Sequence, residues 1–246
     1  MKNRWVLAGL AIILCGVLFI DYIAELLYPS TVLGDVKITE SLIGTKIFNF
    51  YKDGFLVGTY TYTFDKISGG AEDIFAMNSE TSITYGNSSI TLEGLYRSDS
   101  GFRPISYGLN VTHEDDITYF ICNFKPGEVT TIVSFQGEML ESVTELQEDT
   151  LLVENSMPGY WDVILQSTFL ERGRRYTSSM FIPQAGKVHQ ITLVVEENLQ
   201  QVRVENSTLE CTVVKASELG LAFYIHDGTL VQYRDDDQGV VINKVP

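Results

Sequence analysis

Side chains that do acid, base or nucleophilic work are sparse in this 246-residue chain: three histidines, His113, His189 and His226, and three cysteines. A hydrolase needs a nucleophile beside an activating base, and the chain has no G-x-S-x-G elbow. Each histidine stands alone, so hydrolysis would require a Ser, Asp or Glu brought in from a distant strand. Zinc calls for clustered ligands, and neither H-E-x-x-H nor C-x-x-C occurs. Glu114-Asp115-Asp116 and Asp235-Asp236-Asp237 carry the oxygens that hard cations prefer, but both lack the D-x-[DN]-x-[DN]-G loop and are expected as solvated turns. No glycine loop with phosphate-binding spacing is present. Catalytic residues, metal ligands and cofactors are therefore not assigned, and the chain is expected not to be an enzyme.

What the sequence does offer is apolar patterning. In FLVGTYTYTF, Leu56, Gly58, Tyr60, Tyr62 and Phe64 fall on one face of a strand, with Thr59, Thr61 and Thr63 on the other. Farther along the period changes to 3.6, and Trp161, Ile164, Leu165, Thr168 and Phe169 share one helical face. Tyr60, Tyr62, Phe64, Trp161, Ile164, Leu165 and Phe169 are thus the candidate lining of an apolar ligand site. Apolar faces also pack directly on each other, and the ligand reading requires a gap between sheet and helix.

The elements that would position these residues follow from turn chemistry. KIFNFY and FLVGTYTYTF flank Lys52-Asp53-Gly54, a hairpin signal because Asp-Gly accepts positive φ. Strands are predicted at Ile74 to Tyr85, Ser89 to Arg97, Phe102 to Thr112, Ile117 to Phe124 and Val129 to Phe135. Residues 138–155 read as a connection to which no element is assigned. The helix follows, with Pro158 near its start and Gly173 just beyond its end. Strands resume at Tyr176 to Ile182, Val188 to Glu196, Leu199 to Val204, Leu209 to Lys215 and Leu221 to His226, with a last hairpin at Asp227-Gly228. The fold class is mainly β: a large curved antiparallel sheet with one covering α-helix, plus an N-terminal transmembrane helix.

Four passages, FNFYKDGFLVGTYTYTFDK, SMPGYWDVILQSTFLERGRRY, ITLVVEENLQQVRVENSTLECTVV and AFYIHDGTLVQYRDDDQGVVI, span most of residues 45–242. In their order of strands and turns they resemble the extracytoplasmic lipoprotein-carrier superfamily and allied envelope proteins. The resemblance implies a strongly curved antiparallel half-barrel whose concave apolar face, partly closed by a helix, holds acyl chains. The expected anchor departs from the soluble carriers, which shuttle cargo.

That anchor is read from Lys2 and Arg4 followed by an unbroken apolar run, Trp5 to Ile20. Sixteen residues reach about 24 Å against a hydrocarbon core of roughly 30 Å, so Tyr22 to Tyr28 must extend the span before Pro29 ends it. Flanking basic residues put the N-terminus in the cytoplasm and the rest outside. A cleaved signal peptide is the competing reading, although small residues suited to cleavage do not follow Ile20. The division is residues 1–29 as a single-pass membrane anchor and residues 30–246 as one extracytoplasmic β domain.

Removing residues 1–29 takes away two basic and two acidic residues, leaving 15 against 30, so the outer part keeps the net charge of −15. Such a surface repels phosphate backbones and anionic headgroups, which excludes nucleic acid as a partner. Outside the anchor only Cys122 and Cys211 remain, either a disulfide or two buried thiols. Sequons at Asn87, Asn110 and Asn206 are compatible with surface glycosylation. The functional expectation is a membrane-tethered, non-enzymatic domain that binds a lipid or other apolar ligand. The alternative is a structural or protein-interaction module of the cell envelope without a cavity.

Overall fold

The computed structural model describes residues 29–67, 73–114, 116–154 and 157–246. Residues 1–28 of the predicted anchor at 1–29, Cys15 among them, lie outside the described residues. Among those described, no helix is long and apolar enough to cross a membrane.

Seventeen strands form one sheet. The first half comprises β1 (Ser30–Val32), β2 (Gly44–Lys52), β3 (Phe55–Ile67), β4 (Ile74–Tyr85), β5 (Ser88–Ser98), β6 (Pro104–His113), β7 (Asp116–Lys125), β8 (Glu128–Phe135) and β9 (Glu138–Glu145). After β10 (Leu151–Leu152) comes the α-helix, α1 (Pro158–Ser167). The chain closes with β11 (Arg175–Ile182), β12 (Lys187–Val195), β13 (Gln200–Val204), β14 (Ser207–Ala216), β15 (Leu221–His226), β16 (Thr229–Asp235) and β17 (Val240–Lys244). From β2 to β9 every neighbour is the next strand in sequence and antiparallel, as short hairpins dictate. β17 pairs with β2 and joins the two runs. The sheet is mixed rather than wholly antiparallel, because β1 and β10 both lie parallel to β11.

The curved sheet brings its far ends together. Thr144 of β9 donates to the Gly186 carbonyl in the β11–β12 turn at 2.9 Å, and Phe124 meets Phe181 edge-on at 5.9 Å. The enclosed side is filled by α1, whose residues from Pro158 to Leu165 are all buried. A helix buried all round needs partners on every side. Trp161 lies 4.6 Å from Phe223 of β15, Tyr160 lies 5.2 Å from Tyr96 of β5, and Asp162 pairs with Lys46 of β2 at 2.8 Å.

Two expectations are corrected and two open readings are decided. Leu56 does not share a face with Tyr60: a bulge between Phe50 and Tyr51 shifts the register, leaving Leu56 59% exposed and turning Val57 inward. The helix ends at Ser167, six residues before Gly173; Thr168 is extended, its hydroxyl donates to the Ile164 carbonyl, and Phe169 is 81% exposed. The stretch left without an assigned element contains β9 and β10. Cys122 and Cys211 are free and buried in separate clusters, so no disulfide joins them. The Cys122 thiol sits 3.6 Å from the Thr131 hydroxyl, whereas Cys211 packs with Val202, Val213 and Tyr224.

Candidate functional site: an apolar cleft beside a plugged core

Alternation sends every second residue of β3 to β8 to the concave side, where register partners form rows across the strands. One row runs Tyr60, Thr81, Leu92, Val111, Thr118. The next runs Tyr62, Ser79, Gly94, Leu109, Phe120, and a third Phe64, Met77, Tyr96, Tyr107, Cys122. These rows have two fates.

At the β3 end they are covered by α1. Tyr60, Tyr62, Phe64, Trp161 and Ile164 are fully buried and Leu165 nearly so, which makes these six predicted lining residues packed core. Gly159 shows how tightly: a methyl group there would overlap the Tyr60 hydroxyl, so only glycine lets the helix lie against the aromatic row. The seventh, Phe169, lies outside the helix at the surface. Asp162 pins the contact, pairing with Lys46 and accepting hydrogen bonds from the Tyr62 hydroxyl and the Gln166 amide. Its carboxylate is fully buried and the Lys46 side chain 13% exposed.

Toward the hairpin tips and β7 the same rows are left open. A cleft of about 670 Å³ lies there, floored by Leu92, Leu109, Val111 and Phe120, with Ile83 and Ile90 from the row nearer the β4–β5 turn. Phe50, Val57 and Val240 close one side, and Met157, just before α1, separates the cleft from the plug. Polar groups stand only at the edges: Lys52, Tyr85, Thr118, Gln184 and Gln238. None of the seven predicted lining residues lines it. The signal for the actual lining was the alternation Ile90, Leu92, Gly94, Tyr96 in β5 and its counterparts in β6 and β7. Size alone does not select this cleft, since two others measure about 630 and 610 Å³. Those carry charges in their walls, Arg103, Lys125 and Glu148 in one, Glu205, Asp227 and Lys244 in the other.

Between plug and cleft lies a buried polar cluster that sequence reasoning missed, although Glu154 directly follows the apolar run Leu151-Leu152-Val153. Glu154 is fully buried, and among the described residues neither carboxyl oxygen has a hydrogen-bond partner of normal geometry. Burial pushes its pKa up from 4.5 to about 8, an effect the Tyr107 hydroxyl offsets only in part. Tyr60, Tyr107 and Tyr160 face it, each raised well above 10 by burial and then by the Glu154 charge. Cys122, pushed up to about 11 chiefly by burial, completes the surround. Gln184, at the cleft edge, donates to the Tyr107 hydroxyl at 3.3 Å and so links the cleft to this cluster.

The groups considered for chemistry lie elsewhere. His113 Nε2 is 2.7 Å from the Ser88 hydroxyl in exposed hairpins, with no acid hydrogen-bonded to the imidazole among the described residues. His226 meets the Glu210 carbonyl at 2.9 Å and Asp227 at 3.5 Å; His189 is half-buried in β12. Asp235 accepts from the Gln238 backbone, and Asp236 pairs with Arg234 at 3.0 Å. Asp115 lies outside the described residues, and among those described no three His, Cys, Asp or Glu gather as a metal site would need.

No family model and no curated protein matches the chain. Among solved structures, a DUF1089 family protein from Pseudomonas aeruginosa is similar at 11% identity and a TM-score of 0.36, over 70% of this chain and 89% of that one.

Proposed function

We propose that the chain is a non-enzymatic binder of an apolar molecule such as an acyl chain, held at the membrane by residues 1–29 with its β domain outside. One observation carries the binding part: the concave face keeps an apolar cleft of about 670 Å³ beside a core that is otherwise tightly filled. Ordinary cores hold few voids larger than water, while ligand pockets typically measure ~300 to 1,000 Å³. The likeness to lipoprotein carriers in strand and turn order points to the same use of a half-barrel. Native mass spectrometry and solvent extraction of the purified full chain are expected to yield an apolar small molecule. Leu92→Trp, which narrows the cleft at its floor, should sharply reduce its recovery; equal recovery from that variant defeats the proposal.

A second reading rests on β9. Met139, Leu140 and Val143 of this outermost strand are 71%, 69% and 60% exposed, and an uncovered edge of that kind pairs readily with another chain. The interaction-module alternative therefore places its contact at β9. Site-specific crosslinkers at Met139 and Val143 in intact cells should then trap one consistent protein, and labelling spread over many proteins speaks against it.

A further inference from the structure

The cleft has one charged residue in its lining, Lys52, in a chain whose net charge is −15. Lys52 ends β2 at the hairpin side of the cleft, and its ammonium donates to the Gln238 backbone carbonyl. It forms no salt bridge of 4 Å or less with any described carboxylate. Of the acidic residues near it, Asp235 caps the Gln238 backbone, Asp236 holds Arg234 and Asp237 lies against Gly220, while Asp53 lies against Gly239, beside the Gln238 carbonyl that Lys52 reaches, without closing to ion-pair distance. None of the four lines the cleft. Around Lys52 the other edge groups are neutral hydrogen-bonding side chains, the Gln184 and Gln238 amides and the Tyr85 hydroxyl.

Apolar walls with a single cation at the edge match one chemical shape. Resting on the reading of the cleft as a binding site, we propose that its ligand is a single-chain amphiphile with an anionic head, the chain lying over Leu92, Val111 and Phe120 and the head held by Lys52. Lysine suits this place because its long stem packs on apolar surface while its ammonium stays at the water boundary. An uncharged head would gain no charge-assisted contact from that cation, and a cationic head would be repelled by it. The anion is a carboxylate or a phosphate monoester, since both present oxygens to one ammonium.

The test uses the full chain in zwitterionic lipid nanodiscs, with empty discs subtracted, and measures binding of dodecanoate, dodecyl phosphate and dodecanol at low salt. The wild type is expected to bind an anion about three- to tenfold more tightly than the alcohol, as a charge-assisted contact at a wet edge implies. Lys52→Gln should erase that preference, leaving the anions no tighter than dodecanol, and Lys52→Arg should keep it. A preference for dodecanoate alone or dodecyl phosphate alone identifies the head. If dodecanol binds as tightly as both anions, or the preference survives in Lys52→Gln, the anionic-head inference is overturned while the cleft reading stands. If none of the three binds, both are overturned.

Discussion

The two ends of the concave face are built from the same strands with the same alternation, yet one is a plug and the other a cleft. Over β3 and the adjoining part of β4, α1 inserts Trp161, Ile164 and Leu165, and Asp162 ties it to Lys46 and Tyr62. Over β5 to β7, Leu92, Val111 and Phe120 point the same way but stay only partly buried along the cleft, with Leu109 buried beside them. Inward alternation therefore sets which side chains are removed from the outer solvent face. What fills the space opposite them decides whether the result is core or binding site. In this fold that decision is made by a ten-residue helix with glycine at its second position.

The sharpest way to break the comparison is at the pin. Asp162→Ala leaves Lys46 partly buried without its carboxylate and should cost about 3 to 5 kcal/mol in denaturant unfolding, whereas a cost below about 1 kcal/mol would mean that the plug is not held this way.

The boundary between the two ends is probed by pH. Glu154 has a folded pKa raised to about 8, above its ordinary 4.5, so the folded state keeps a proton that the unfolded chain has lost. Stability from the neutral carboxyl is complete below about pH 4.5, declines across the window from about 4.5 to 8, and is gone above it. Tyr60, Tyr107, Tyr160 and Cys122 all titrate above that window and do not contribute. The stability of wild type relative to Glu154→Gln should therefore fall by about 1.4 kcal/mol between pH 6 and 7. A flat difference would show that Glu154 ionises freely in the fold.

Filling experiments separate plug from cleft directly. Ile164→Trp forces volume into a packed site and should destabilise by about 1 to 3 kcal/mol. Leu92→Trp extends into open space and should shift stability by less than about 0.5 kcal/mol. Similar losses in thermal unfolding for the two would erase the distinction. Smallest of all, Phe169→Ser should stay within about 0.5 kcal/mol, because the side chain is 81% exposed.

Much of the fold could be read from the chain because local rules governed it. Lys52-Asp53-Gly54 turns with φ of 51° at Asp53 and 83° at Gly54, the left-handed pair that the Asp-Gly signal demands. β4 spans Ile74–Tyr85, the limits that its flanking turn residues marked. Failures came where tertiary packing overrode local pattern. The bulge at Phe50 and Tyr51 reversed Leu56, and nothing in FLVGTY announces it except Gly58, whose added methyl would collide with the Ser82 carbonyl. β9 hid because EMLESVTE alternates poorly, as an edge strand exposed on both faces is free to do. The aromatic row was found but its use was not, since core and cleft share one periodicity and only the position of α1 tells them apart. Glu154 and Lys52 were passed over for the same reason: a lone charge in sequence carries no record of what surrounds it.

The central claim is that the open end of the concave face takes up an apolar molecule. The most direct measurement is titration of a fluorescent alkyl probe into the full chain beside its Leu92→Trp and Phe169→Trp variants, each retaining the same apolar N-terminal run. Saturable one-to-one binding by wild type and Phe169→Trp, lost in Leu92→Trp with an unchanged melting temperature, is the predicted result. Equal binding by all three, or by none, would contradict it.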